Sequence, residues 1–128
     1  MISPPPPTTH TVAVVDDDRT CTMMLERILS RAGYRVVVYA SGEAVLDAVD
    51  ATPPSAVCLD LSLPGIDGLE TLRQLRARRS DVPVILFTAS ADDVRAEALA
   101  AGAFACVPKT GAWTELCAAV ARAVDFRK

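Results

Sequence analysis

The sequence predicts one α/β domain built on a doubly wound parallel sheet, and three observations carry that prediction. Short, continuous apolar runs recur along the chain, each is followed by a helical pattern, and the unit repeats five times. Runs that are apolar throughout, rather than alternating, belong to strands covered on both faces. Short right-handed crossovers between such strands then place helices on both sides of the sheet.

Met1 to Thr11 contains Pro4-Pro5-Pro6-Pro7 and reads as an extended, flexible lead-in, leaving residues 12–128 as the domain. Val12-Ala13-Val14-Val15 is the first strand and stops at three aspartates. Cys21, Met24, Leu25, Ile28, Leu29 and Ala32 follow helical steps of three and four, and Gly33 ends that helix as a C-cap glycine does. Val36-Val37-Val38 is a β-branched second strand. Ser41 caps a second helix to about Asp50, which Pro53-Pro54 prevents from continuing.

Ala56-Val57-Cys58-Leu59 is the third strand and ends at Asp60. The turn Leu63-Pro64-Gly65-Ile66-Asp67-Gly68 leads to a helix carrying Leu69, Leu72 and Leu75. Pro83 to Phe87 is strand four, finishing at Thr88, and Ser90 to Asp93 resembles a capping box for helix four. Ala103 to Val107 is a weaker fifth strand ended by Pro108 and Lys109. Trp113, Leu116, Cys117, Val120 and Val124 mark the last helix.

A chain of 128 residues has room for one sizeable core. With 51% apolar residues but only 5% aromatic, that core is made of Val, Leu, Ile and Ala. A net charge of −3 lacks the basic face of a general nucleic-acid binder, so no direct nucleic-acid contact is expected. No apolar run reaches a membrane span, and no secretory leader is visible, so a cytoplasmic protein is expected. Cys21, Cys58, Cys106 and Cys117 lack metal-ligand spacing and read as reduced, buried thiols.

In doubly wound sheets the working crevice lies at the C-terminal strand ends. Asp16-Asp17-Asp18 end strand one, Asp60 strand three, Thr88 strand four and Lys109 strand five. Taken singly, the aspartates could be helix caps, Lys109 a solvated charge and Thr88 a turn residue, and Asp18 reads best as a cap. Taken together, they converge on one sheet edge. Carboxylates a few ångströms apart repel by about 1 to 4 kcal/mol per pair, which calls for a cation or raised pKa values. The donors are hard oxygens, which points to Mg²⁺. An aspartate nucleophile with a metal, a lysine and a hydroxyl around the phosphate satisfies every role in phosphoryl transfer.

Four blocks resemble the receiver domain of bacterial response regulators: Val14 to Asp18, Leu59 to Leu69, Phe87-Thr88-Ala89, and Ala101-Gly102-Ala103 leading to Lys109. The resemblance runs from Val12 to about Val124. It implies a flavodoxin-like fold with strand order 2-1-3-4-5. It further implies Mg²⁺-dependent phosphotransfer from a histidine kinase or phosphotransfer protein to Asp60. Asp17 would ligate the metal directly, Asp16 through water, and Ser62 through its backbone carbonyl, while Thr88 and Lys109 clamp the phosphoryl group. Ser62 and Ser90 would tune autodephosphorylation. The only histidine, His10, lies in the lead-in, so no internal phosphodonor is expected.

Two positions depart from the family pattern. Cys106 stands where a Tyr or Phe usually swings inward with the threonine, and Phe104 is the nearest aromatic on the strand. Lys109 is followed by Thr110 rather than proline, so a cis bond there would cost about 2.5–4 kcal/mol. Phosphorylation would shift helix four, strand five and helix five, the face expected to meet a downstream protein. With no DNA-binding segment after Lys128, output is expected by protein contact, by phosphorylation-dependent dimerisation of a monomer, or by onward phosphotransfer. The chain would not be a conventional enzyme. Its rivals are a receiver-fold adaptor with a degenerate switch, a phosphatase of haloacid-dehalogenase type (which wants Asp where Ser62 stands), and a flavin or nucleotide module (which wants a glycine-rich first turn).

Overall fold

In a computed structural model the chain is described over residues 10–79, 81–109 and 113–127. Ten elements alternate: β1 (Thr11–Val15), α1 (Arg19–Arg31), β2 (Arg35–Tyr39), α2 (Gly42–Val49), β3 (Ala56–Asp60), α3 (Gly68–Arg78), β4 (Val84–Thr88), α4 (Ala91–Ala100), β5 (Ala105–Pro108) and α5 (Thr114–Arg127). All four strand pairings are parallel, in the order β2-β1-β3-β4-β5, which is the expected flavodoxin-like doubly wound sheet. The polyproline segment lies outside the described residues. Thr11, assigned to that lead-in from the sequence, instead opens β1, because its carbonyl accepts the Ser55 N–H at 2.7 Å.

Successive strand residues face opposite sides, so each strand feeds two cores. Ala13, Val15, Val57, Leu59, Val84, Leu86 and Cys106 pack with residues of α2, α3 and α4 on one face. Val12, Val14, Cys58, Ile85, Phe87 and Val107 pack with α1 and α5 on the other. β3 and β4 are buried at every position. β2 is not: Val37 and Val38 are 37% and 39% exposed, because an edge strand has helix cover on only part of its width.

Local chemistry sets the helix ends. The Asp18 carboxylate accepts from the N–H groups of Thr20 and Cys21, Ser41 Oγ from Ala44, and Asp67 from Glu70. Gly33 (φ 100°) follows α1 and Gly102 (φ 104°) follows α4, a backbone that glycine adopts without a Cβ clash. Each forms the paired C-terminal bonds of a Schellman turn, Gly33 N–H to Ser30 with Tyr34 N–H to Leu29, and Gly102 N–H to Leu99 with Ala103 N–H to Ala98.

Three local expectations are corrected. Met24 is exposed, and Thr22 takes the buried place on α1, where its hydroxyl donates to the Arg19 carbonyl. Ser90 caps α4 without a side-chain bond, because its φ −104°, ψ 33° backbone lies outside the extended region that aims the hydroxyl at the first turn. β5 begins at Ala105 and includes Pro108, which an edge strand tolerates.

Candidate functional site

The register carries the polar strand ends to one place. Val15 pairs with Leu59, so Asp16 and Asp60 emerge side by side from β1 and β3, on either side of the point where strand order reverses. Asp60 pairs with Phe87, and Thr88 pairs with Pro108, which brings Lys109 round from β5. The Lys109 N–H then donates to the Thr88 carbonyl at 2.9 Å. Gly68 completes the wall: its N–H donates to Leu61 at 2.8 Å, and a Cβ there would collide with the Asp60 carbonyl and Leu61 Cα.

Asp16, Asp60 and Thr88 are buried, at 2%, 5% and 4% exposure, whereas Asp17 is exposed. The Lys109 ammonium lies 2.8 Å from Asp16 Oδ2 and 3.6 Å from Asp60 Oδ1. Asp16 Oδ1 accepts the Asp18 N–H at 3.0 Å. Burial alone would raise the Asp16 carboxyl, but Lys109 and the Asp18 N–H outweigh it and hold Asp16 below the usual carboxylate range. Asp60 goes the other way. Burial, then the adjacent Asp16 charge, push it up to about 6, against the opposing pull of Lys109 and a backbone bond from Ser62. Burial would lower the Lys109 ammonium, yet the two carboxylates raise it.

Asp16, Asp17 and Asp60 each offer an oxygen, all within 4.8 Å of one another. Asp16 Oδ2 is buried and makes no hydrogen bond, although the Lys109 ammonium stands 2.8 Å away as an ion pair. Three hard donors, one of them with unmet capacity, fit a divalent cation. Asp18 faces away from this role as the α1 cap. Thr88 Oγ1 accepts the Ser90 N–H at 3.2 Å, which leaves its own hydrogen to donate. His10 is not at the site; its ring bonds Ser55 Oγ at 3.0 Å near the strand beginnings.

The sequence reading missed an aromatic arrangement beneath Lys109. Its ammonium lies 5.3 Å from the Phe87 ring centroid. Phe87 meets Trp113 edge to face at 6.0 Å and 79°, and the Trp113 indole N–H donates to Met24 Sδ at 3.2 Å. Trp113 has φ 63°, a left-handed backbone that costs a bulky residue on the order of 1–3 kcal/mol and persists only where packing enforces it. The nearest sequence signal is an aromatic four positions after the lysine, and it does not disclose the partners.

Cys106 occupies the opposite face. Its buried thiol lies 3.8 Å from the Ala91 carbonyl, while Arg95 Nε donates to the Cys106 carbonyl at 3.3 Å. Phe104 does not stand in for the missing aromatic on this face: it packs with the α1–α5 core on the other side of the sheet, because it precedes the strand and its regular alternation. The bond after Lys109 reaches Thr110, outside the described residues. Cys21 and Cys58 are also buried and free, whereas Cys117 is only partly buried. Among the described residues no helix is long and apolar enough to cross a membrane.

The family profile described as response regulator receiver domain matches residues 12–121. The chain is 39% identical over 113 residues to the DNA-binding transcriptional regulator NtrC of Klebsiella pneumoniae, covering 88% of this chain and 24% of that protein. It is 43% identical over 109 residues to the response regulator MprA of Mycolicibacterium vanbaalenii, covering 84% and 47%. The chain thus spans about a quarter of the first relative and about half of the second. A solved response-regulator structure from Chloroflexus aurantiacus J-10-fl matches with a TM-score of 0.86 at 34% identity, over 92% of this chain and 99% of that one. The BeF3-activated DrrB receiver domain matches with a TM-score of 0.82 at 31% identity, over 92% and 99%.

Proposed function

Because the chain belongs to the response regulator receiver domain family, we propose that Asp60 is its phosphoryl acceptor in a Mg²⁺-dependent switch served by a histidine kinase or phosphotransfer protein. The supporting observation is the pairing of Asp16 and Asp60 across β1 and β3 with the Lys109 ammonium within 2.8 and 3.6 Å of them. One Asp60 oxygen attacks the donor's phosphorus, an O–P bond forms, and the bond to the donor's imidazole nitrogen breaks, leaving the electron pair on that nitrogen. Lys109 exchanges its Asp16 partner for phosphoryl oxygens, and the Thr88 hydroxyl donates to another. Asp16, Asp17, Asp60 and the Ser62 carbonyl would hold Mg²⁺. When bound, it supplies positive charge to the phosphoryl oxygens. Burial and the adjacent Asp16 charge disfavour the ionised Asp60 carboxylate, and cations at the site would offset that cost.

Phosphorylation adds roughly 1.5 to 2 negative charges at Asp60, and inward movement of Thr88 shifts α4, β5 and α5 toward a downstream protein or a second copy. A cytoplasmic location accords with this role. The test is phosphoryl labelling with Mg²⁺ and a phosphorylated kinase or a small acyl phosphate. Wild type gains the label and Asp60→Ala does not; equal labelling of both would remove the assignment.

Cys106 favours one other reading, an adaptor whose fold persists without a switch. A thiol already settled against Ala91 has no ring to swing. Equal partner affinity with and without phosphorylation would establish it, because equal affinities shift no population.

A further inference from the structure

Among the described residues, the Lys109 ammonium lies near Asp16 Oδ2, Asp60 Oδ1 and the Phe87 ring. The ring attracts the ammonium through its electron-rich face. A phosphoryl group on Asp60 multiplies the charge on one neighbour, so the ammonium is drawn to it and its contact with the ring changes. Phe87 is fully buried and cannot leave its place. The group next to it can: Trp113 is only partly buried, holds a left-handed backbone, and meets α1 through an indole–thioether hydrogen bond.

We propose that Phe87 and Trp113 relay the position of Lys109 to Met24 on the exposed face of α1, so that this face reads the phosphorylation state. The relay is contiguous across β4, the start of α5 and α1. It lies on the side of the sheet away from Cys106, and so does not use the aromatic that β5 lacks. The relay requires two states of the Trp113–Met24 contact, one for each state of Asp60.

The proposal rests on Asp60 as acceptor, and the experiment separates the two. The chain has three methionines, Met1, Met23 and Met24, so methyl-labelled protein gives three resonances. Acetyl phosphate with Mg²⁺ is added while intact mass is followed in parallel. The mass gain of one phosphoryl group is expected, with the Met24 methyl resonance moving and that of Met23, its exposed neighbour, staying in place. In Trp113→Phe, which keeps a ring but loses the N–H, phosphorylation proceeds and the Met24 shift falls by more than half. Should that variant fold poorly, Met24→Leu keeps the volume, and its indole N–H resonance should respond less than half as much as in wild type. No mass gain overturns the acceptor reading. Full mass gain with a stationary Met24, or a Met24 shift retained in Trp113→Phe, overturns the relay and leaves the acceptor standing; a full indole response in Met24→Leu does the same.

Discussion

At the C-terminal edge of the sheet the two faces are built differently. On the α4 side, Cys106 is a small thiol resting on Ala91, and Ala98 and Ala103 complete a close-packed wall of small side chains. On the α1–α5 side, the Phe87 ring lies beside Lys109 and Trp113 packs edge to face against Phe87. The same charged centre therefore meets a small, settled surface on one side and a polarisable aromatic one on the other. A change of charge at Asp60 is felt through whichever face responds to the lysine, and in this chain the bulk lies on the α1–α5 face.

The largest effect that sharpens this comparison comes from the charge both faces share. Lys109→Ala leaves two buried carboxylates facing each other without a cation. In metal-free protein at about pH 7.5 we expect a loss of about 2–4 kcal/mol by chemical denaturation, less than for a fully buried pair because Lys109 is 22% exposed. An unchanged midpoint would show that the ion pairs contribute nothing.

Asp60→Asn acts in the opposite direction. The Asp60 carboxyl rises from 3.8 unfolded to about 6 folded, so the native state binds more protons between those values. Unfolding free energy therefore falls as pH rises from about 4 to about 6 and stays low above that. At 1.36 kcal/mol per pH unit the penalty is about 3 kcal/mol, which Asn removes in metal-free protein at neutral pH but not at about pH 4. Mg²⁺ should likewise raise the wild-type melting temperature more at neutral pH than at about pH 5. A variant no more stable than wild type at neutral pH would contradict the cost that burial, with the adjacent Asp16 charge, places on the ionised Asp60.

Cys106→Tyr addresses the small face. Forcing a ring against Ala91 and Ala98 should cost about 1–3 kcal/mol in the unphosphorylated chain. A stability gain would reveal space that the wall of alanines conceals. The smallest effect belongs to Met24→Leu, a volume-conserving change at a half-exposed site, with an expected loss under about 1 kcal/mol in thermal melts.

The contrast also explains what was legible in the sequence. β1, β3 and β4 could be read because strands buried on both faces carry a continuous apolar run, broken only by a polar residue at one end, and the Asp18, Ser41 and Asp67 caps because capping is local chemistry. The convergence of Asp16, Asp60, Thr88 and Lys109 followed from the rule that parallel strands end at one edge. Local pattern failed where tertiary contacts decide. Met24 fits a helical stripe yet lies outside the core, at the surface, where it meets Trp113, 89 residues later. Phe104 and Cys106 look two residues apart on one face, but the strand begins only at Ala105. Ser90 carries a capping sequence without the backbone angle to use it.

The acceptor itself can be located without mutation. Borohydride reduction of the phosphorylated chain converts an aspartyl phosphate to homoserine, and peptide mass spectrometry then reads the position. Homoserine at residue 60 alone is the predicted result; homoserine at 16 or 17, or at no aspartate of a chain that has taken up phosphate, would contradict the account.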